Sequence, residues 1–168
     1  SAVFSMKPPA STTILGIETS CDETAAAVLD GEGHVLANVI SSQQTVHERF
    51  GGVVPELASR AHIQNVDHVT RQALDAAGLT WQDLGAIAVT QGPGLAGALL
   101  VGISYAKSLA YALGIPLVGV SHLEGHIASA WIDRPSFPRT CVVLIASGGH
   151  THLFHATEHG GFHLMGRT

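Results

Sequence analysis

Two histidines stand four positions apart in SHLEGHIASAW (121–131). On a helix that spacing sets both imidazoles on one face, about 40° apart. His122 and His126 could there grip one metal ion, zinc or iron by the character of imidazole, with two more ligands or waters completing the shell. The glutamate between them does not make a zinc-protease motif. In H-E-x-x-H it directly follows the first histidine, whereas Glu124 comes two positions later, roughly 200° around the helix from His122. Gly125 loosens the first turn, so two partly exposed histidines at a helix entrance is the other reading of the pair.

Three further stretches could do chemistry. ETSCDET (18–24) gathers Thr19, Ser20, Asp22, Glu23 and Thr24 into one turn. Hydroxyls and backbone N–H groups hold phosphate, and a carboxylate orients a metal or a water; alternatively it is a solvated Asp- and Thr-rich turn. Cys21 has no adjacent base and reads as structural. QGPGLAG (91–97) contains G-x-G-x-x-G between a strand and a helix, but the next strand ends in Val120-Ser121-His122 and not in the acid a dinucleotide site requires. No G-K-[ST] follows, so a P-loop is excluded as well. ASGGHTH (146–152) places Gly148 and Gly149 in a turn whose bare N–H groups could cradle phosphate, or simply close a hairpin. Beyond it His152, His155, His159 and His163 are spaced as a surface strand, not as a second metal site.

The elements that must position these residues follow from periodicity. ILGIE (14–18), TAAAVLD (24–30) and HVLANVIS (34–41) read as three short strands in an antiparallel meander. From Pro55 to Ala77, Ala58, Ala61, Val66, Val69, Ala73 and Ala76 recur at helical spacing, with Gly78 as the stop. Strand AIAVT (86–90), a helix over 95–113 closed by Gly114, and strand PLVGV (116–120) lead into the histidine pair, which should open a third helix. The order β-β-β-α-β-α-β-α is a mixed α/β sheet with crossover helices, the lobe plan of the actin, Hsp70 and sugar-kinase superfamily. After Pro138 the chain begins again with CVVLIAS (141–147) and THLFHA (151–156), the first strands of another lobe. The expected division is therefore a tail over 1–12, with Met6 as the natural start behind an added remnant, a first lobe over 13–135, and the start of a second over 139–168.

At 168 residues, 46% hydrophobic and 12% charged, the chain has the makeup of a folded domain. A formal charge of −5 gives no general attraction for nucleic acid. Two cysteines make no disulfide framework and suit a reducing cytoplasm. The apolar stretch 94–120 imitates a membrane span, but Gly114 and Pro116 divide it and Lys107 charges its middle. A buried helix followed by a buried strand is expected there, with no membrane.

ILGIETSCDETAAAV (14–28), FGGVVPELASRAH (50–62), TQGPGLAGALLVG (90–102), SHLEGH (121–126) and SGGHT (147–151), in that order, resemble the N-terminal half of the bacterial tRNA threonylcarbamoyladenosine transferase family, once catalogued as an O-sialoglycoprotein endopeptidase. The resemblance implies transfer of a threonylcarbamoyl group from its adenylate to N6 of the adenosine beside the anticodon. It also implies one cleft metal, iron or zinc, held by His122 and His126 and by an aspartate from a second lobe this sequence does not contain. Ile145, Ala146, Ser147, Gly148 and Gly149 match the loop that binds threonylcarbamoyl-adenylate, ATP or ADP. Asp22 and Glu23 match acidic residues near the reacting group. The implied partners are tRNA, a scaffold paralogue that dimerises through the first lobe, and a small ATPase subunit.

Such a piece is expected to fold, to bind metal weakly and to be inactive alone. A non-catalytic scaffold paralogue should lack the histidine pair, which this sequence has. An actin-like kinase would not need the pair, and an endopeptidase fails on the position of Glu124.

Overall fold

Alternation sets the first strands. In the computed structural model, which describes residues 12–132, 134, 136–146, 151–158 and 161–168, β1 (Thr13–Glu18) buries Leu15 and Ile17. β2 (Glu23–Leu29) buries Ala26 and Val28 on the same side, and β3 (Val35–Ser42) follows antiparallel to it. A short helix, α1 (Gln44–His47), and one 3₁₀ turn then lead to α2 (Pro55–Ala77). β4 (Leu84–Gly92) pairs parallel to β1, α3 (Ala96–Leu113) follows, and β5 (Leu117–Ser121) pairs parallel to β4. The five strands lie in the order β3-β2-β1-β4-β5. This is the expected actin-like lobe plan, with α1 as an addition.

Both long helices end where expected, for one backbone reason. Gly78 and Gly114 take left-handed φ values of 69° and 67°, which costs glycine little and a residue with Cβ more. Behind each, the next residue closes the last turn: Leu79 N donates to Leu74 O at 3.0 Å and Ile115 N to Ala110 O at 3.1 Å. α2 packs on β2, β3 and α3, and α3 packs on β4. The shared core includes Leu15, Val28, Val66, Val69 and Ile87, each burial stabilising by about 1.5–3 kcal/mol.

Two details differ from the sequence reading. The buried stripe of α2 is Ala58, His62, Val66, Val69 and Ala73, with Thr70 and Leu74 beside it; Ala76 is exposed. Apolar residues alone had defined the stripe, and the polar His62 lies on its axis. The helix and strand expected to be buried over 94–120 differ as well: α3 buries its small-residue face, Ala98, Gly102, Ala106 and Ala110, whereas β5, at the edge of the sheet, is exposed over 117–120.

The chain divides between Ser121 and His122 into two units. In the second, α4 (His122–Ala128) is followed by the antiparallel strands β6 (Cys141–Ala146), β7 (Thr151–Ala156) and β8 (Phe162–Arg167), in the order β6-β7-β8. The sequence reading drew the lobe boundary after residue 135. Ile127 of α4, however, is buried with Phe154 and Ala156, so α4 belongs to the unit of the later strands.

Candidate functional site

The turn between β1 and β2, which carries Asp22 and Glu23, is held by its own backbone. Three successive carbonyls accept from three different segments. Leu95 N, ahead of α3, donates to Ser20 O at 2.8 Å; His62 Nε2 of α2 donates to Cys21 O at 2.9 Å; Gln43 N, ahead of α1, donates to Asp22 O at 3.0 Å. The Glu18 carboxylate accepts from Ser20 N and, at 2.6 Å, from the Thr90 hydroxyl at the end of β4. Thr19, Ser20 and Thr24 are buried, while Asp22 is half-buried and Glu23 exposed. The hydroxyls thus face inward and the turn presents carboxylates. Desolvation, then the Asp22 side chain, pushes the Cys21 thiol up, away from the thiolate a nucleophile needs.

The three glycines of QGPGLAG have structural reasons, backbone conformation at Gly92 and close packing at Gly94 and Gly97. Gly92 has φ 148°. A Cβ on Gly94 would lie 2.6 Å from Ser20 O, and one on Gly97 2.5 Å from Ser59 Oγ on α2. Gly94 and Gly97 let the start of α3 close on the 18–24 turn and on α2, which with the positive φ of Gly92 accounts for the motif without a dinucleotide.

A buried polar chain runs behind the turn. Val54 N donates to His47 Nδ1 at 3.2 Å, and His47 Nε2 lies 3.1 Å from Gln43 Oε1. Gln43 Nε2 lies 3.3 Å from His62 Nδ1, which also has the Thr24 hydroxyl at 2.8 Å. Gln43, His47, His62 and Thr24 are all buried. Burial, first among its causes, pushes the His62 imidazole below the ordinary histidine value, against the upward pull of the Cys21 carbonyl.

In the second unit, α4 sets His122 and His126 with their Nε2 atoms 3.0 Å apart and their rings edge to face. His122 is half-buried, and His126 and Glu124 are exposed. Zn–N bonds of 2.0–2.1 Å in a tetrahedron place two nitrogens about 3.3 Å apart. The donor set therefore fits two positions of a zinc or iron shell. Among the described residues, the one group of three possible ligands is Asp30, Glu32 and His34, at the exposed β2–β3 turn. Ile145 and Ala146 end β6, paired with His152 and Thr151; Ile145 packs against the Ile127–Phe154–Ala156 cluster. Ser147, Gly148 and Gly149 lie outside the described residues.

The family model for tRNA N6-adenosine threonylcarbamoyltransferase matches residues 34–168. The chain belongs to that family. It is 54% identical over 154 residues to the tRNA N6-adenosine threonylcarbamoyltransferase of Clostridioides difficile, covering 92% of this chain and 46% of that protein. The Moorella thermoacetica protein of the same name is 55% identical over 157 residues, covering 94% of this chain and 46% of its own length. The chain thus spans about half the length of these threonylcarbamoyltransferase relatives. Among solved structures, YeaZ from Pseudomonas aeruginosa shares the fold, with TM-score 0.63 at 23% identity over 94% of this chain and 66% of that one. The ethanolamine utilization protein EutJ from Carboxydothermus hydrogenoformans does so with TM-score 0.55 at 15% identity, over 96% of this chain and 52% of that one.

The sequence reading of this family member missed Glu18, Gln43, His47, His62 and Thr90. One signal was available for His62, which falls four residues after Ala58 and four before Val66 on an otherwise apolar stripe.

Proposed function

We propose that the whole protein transfers a threonylcarbamoyl group from threonylcarbamoyl-adenylate to N6 of the adenosine beside the tRNA anticodon. The observation that carries this reading is the pair of Nε2 atoms that α4 sets 3.0 Å apart in a chain of the threonylcarbamoyltransferase family. In the reaction, the N6 nitrogen bonds to the carbamoyl carbonyl carbon, the bond from that carbon to the phosphate oxygen breaks, AMP leaves and the amine gives up a proton. Asp22 or Glu23 orients the amine and accepts that proton. His122 and His126 hold the divalent metal, iron or zinc, which when bound supplies a Lewis acid and a template. Ile145 to Gly149 grip the adenylate.

The partners in this reading are tRNA, a scaffold paralogue and a small ATPase subunit, and the compartment is the cytoplasm. The free thiols Cys21 and Cys141 suit a reducing compartment. The paralogue docks on the first lobe, where the exposed Ile63 and Leu100 flank Val66, Val101 and Tyr105 between α2 and α3. The 168-residue chain alone is inactive.

The test is reconstitution. The full-length protein with its partners, ATP, unmodified tRNA and threonylcarbamoyl-adenylate should yield N6-threonylcarbamoyladenosine, read by mass spectrometry of digested nucleosides. The Asp22→Asn and Glu23→Gln variants, assayed separately, identify the base as the one with the greater loss of kcat. Absence of the modified nucleoside from the complete mixture overturns the function. Its formation by the 168-residue chain alone overturns the claim of inactivity.

A further inference from the structure

Of the three donors that pin the 18–24 turn, two are backbone N–H groups and one is a side chain, His62. The hydrogen-bond chain behind His62 has a single consistent proton order, fixed from both ends by the backbone. A carbonyl oxygen can only accept, so Cys21 O requires the proton of His62 to be on Nε2. In the neutral ring Nδ1 is then an acceptor, whose one lone pair faces the Thr24 hydroxyl at 2.8 Å, with the Gln43 amide farther off at 3.3 Å and shared with the Ala58 carbonyl. At the other end Val54 N–H can only donate, so His47 Nδ1 accepts and His47 Nε2 carries the proton. That proton goes to Gln43 Oε1, which turns the Gln43 NH₂ toward His62. Both constraints meet at Gln43 without conflict. No buried side-chain nitrogen or oxygen among the described residues lacks a partner.

We propose that His62 is a positioning residue for Asp22 and Glu23, holding the turn through the Cys21 carbonyl in the one arrangement that Gln43 and His47 enforce. The proposal rests on reading that turn as the acid–base end of the transfer. Without the Nε2–H donor, the Cys21 carbonyl loses its partner, and the peptide ahead of the two carboxylates is held only through its neighbours, Ser20 O and Asp22 O. A misplacement of about 1 Å at such a group costs up to about 100-fold in rate.

The test uses the full-length protein in its reconstituted complex. His62→Phe keeps the ring and removes both nitrogens; His62→Gln keeps an N–H donor for Cys21. The Phe variant should lose about 10- to 100-fold in kcat with KM for tRNA within about twofold of wild type. The Gln variant should recover most of that loss, and amide exchange over residues 19–24 should rise in the Phe variant alone. Nitrogen chemical shifts of wild-type His62 should report a neutral ring protonated on Nε2. An unchanged kcat in the Phe variant, equal losses in both variants, or a proton on Nδ1 overturns the proposal.

If the wild-type complex makes no modified nucleoside, the transferase reading fails, and the exchange and tautomer measurements still decide the positioning role. Protection of residues 19–24 that is equal in wild type and the Phe variant then overturns it. If the Phe variant does not fold, the tautomer and the Gln variant decide: the proposal requires the Nε2 proton and near-wild-type kcat.

Discussion

Thr19 donates its hydroxyl to the carbonyl of Ala98 at 2.9 Å, joining the end of β1 to the first turn of α3 across 79 residues of chain. Gly102, one turn further along α3, leaves the space this contact occupies, since a Cβ there would overlap the Thr19 side chain. Gly102→Ala should therefore destabilise by about 1–3 kcal/mol through overpacking, although alanine is the better helix former. Thr19→Val, which removes only the hydrogen bond, should cost about 1 kcal/mol. Urea unfolding midpoints measure both. A stabilised alanine variant would show that α3 can retreat from β1 freely.

Keeping His62 neutral links stability to pH. Burial holds its pKa below the ordinary histidine value; the Glu18 and Asp22 charges on the facing turn pull it up, and His47 pushes it down. A histidine whose folded pKa is depressed contributes stability that is complete above the unfolded value of about 6.5 and is lost as pH falls toward the folded one. Between about pH 7.5 and about pH 5, wild type should lose more unfolding free energy than His62→Gln. Parallel pH dependences in the two proteins would remove His62 as the source.

Tyr105 behaves in the opposite sense. Burial, the largest cause, pushes its hydroxyl up to about 12. It donates to Asp67 Oδ1 at 3.0 Å and sits 2.9 Å from the Thr70 hydroxyl. A folded pKa raised above the unfolded value of about 10 gives stability that is present below that value and lost as pH rises toward the folded one. Tyr105→Phe should abolish the phenolate absorbance step near this pH and cost about 1 kcal/mol at neutral pH. A step at the ordinary tyrosine value that disappears with Tyr105→Phe would show that water reaches this hydroxyl.

The imidazole pair should decide metal content. His122→Ala or His126→Ala in the full-length protein should reduce bound zinc or iron, measured by elemental analysis after dialysis. The 168-residue chain offers two nitrogen ligands of the usual four, and calorimetry should find zinc held far more weakly by it than by the full-length protein. Tight binding that survives loss of both histidines would place the metal elsewhere.

The parts of this fold legible in the sequence are those governed by local backbone rules. Pro55, Gly78 and Gly114 mark helix ends because φ restrictions act within a residue or two. The strands around Leu15, Ala26 and Val28 follow from burial on one face. Less legible was whatever depends on a partner distant in the chain. His62 breaks an apolar stripe because its partners, Cys21 and Gln43, are 41 and 19 residues away. Gly94 and Gly97 looked like a nucleotide fingerprint because their neighbours, Ser20 and Ser59, are invisible to a local motif. α4 joins the later strands through Ile127, a contact that element order alone does not encode.

The three pinned carbonyls of Ser20, Cys21 and Asp22 also bear on where the chain can change length. Connections at a surface ordinarily absorb extra residues, and the exposed β2–β3 turn at Asp30–His34 should do so. The 43–62 segment should not, because Gln43 and His62 grip adjacent peptides of one turn. One residue inserted between them would put the two grips out of register. In variants of this chain, loops that tolerate insertions should therefore be found at residues 30–34 and not at 48–54, though both lie at the surface.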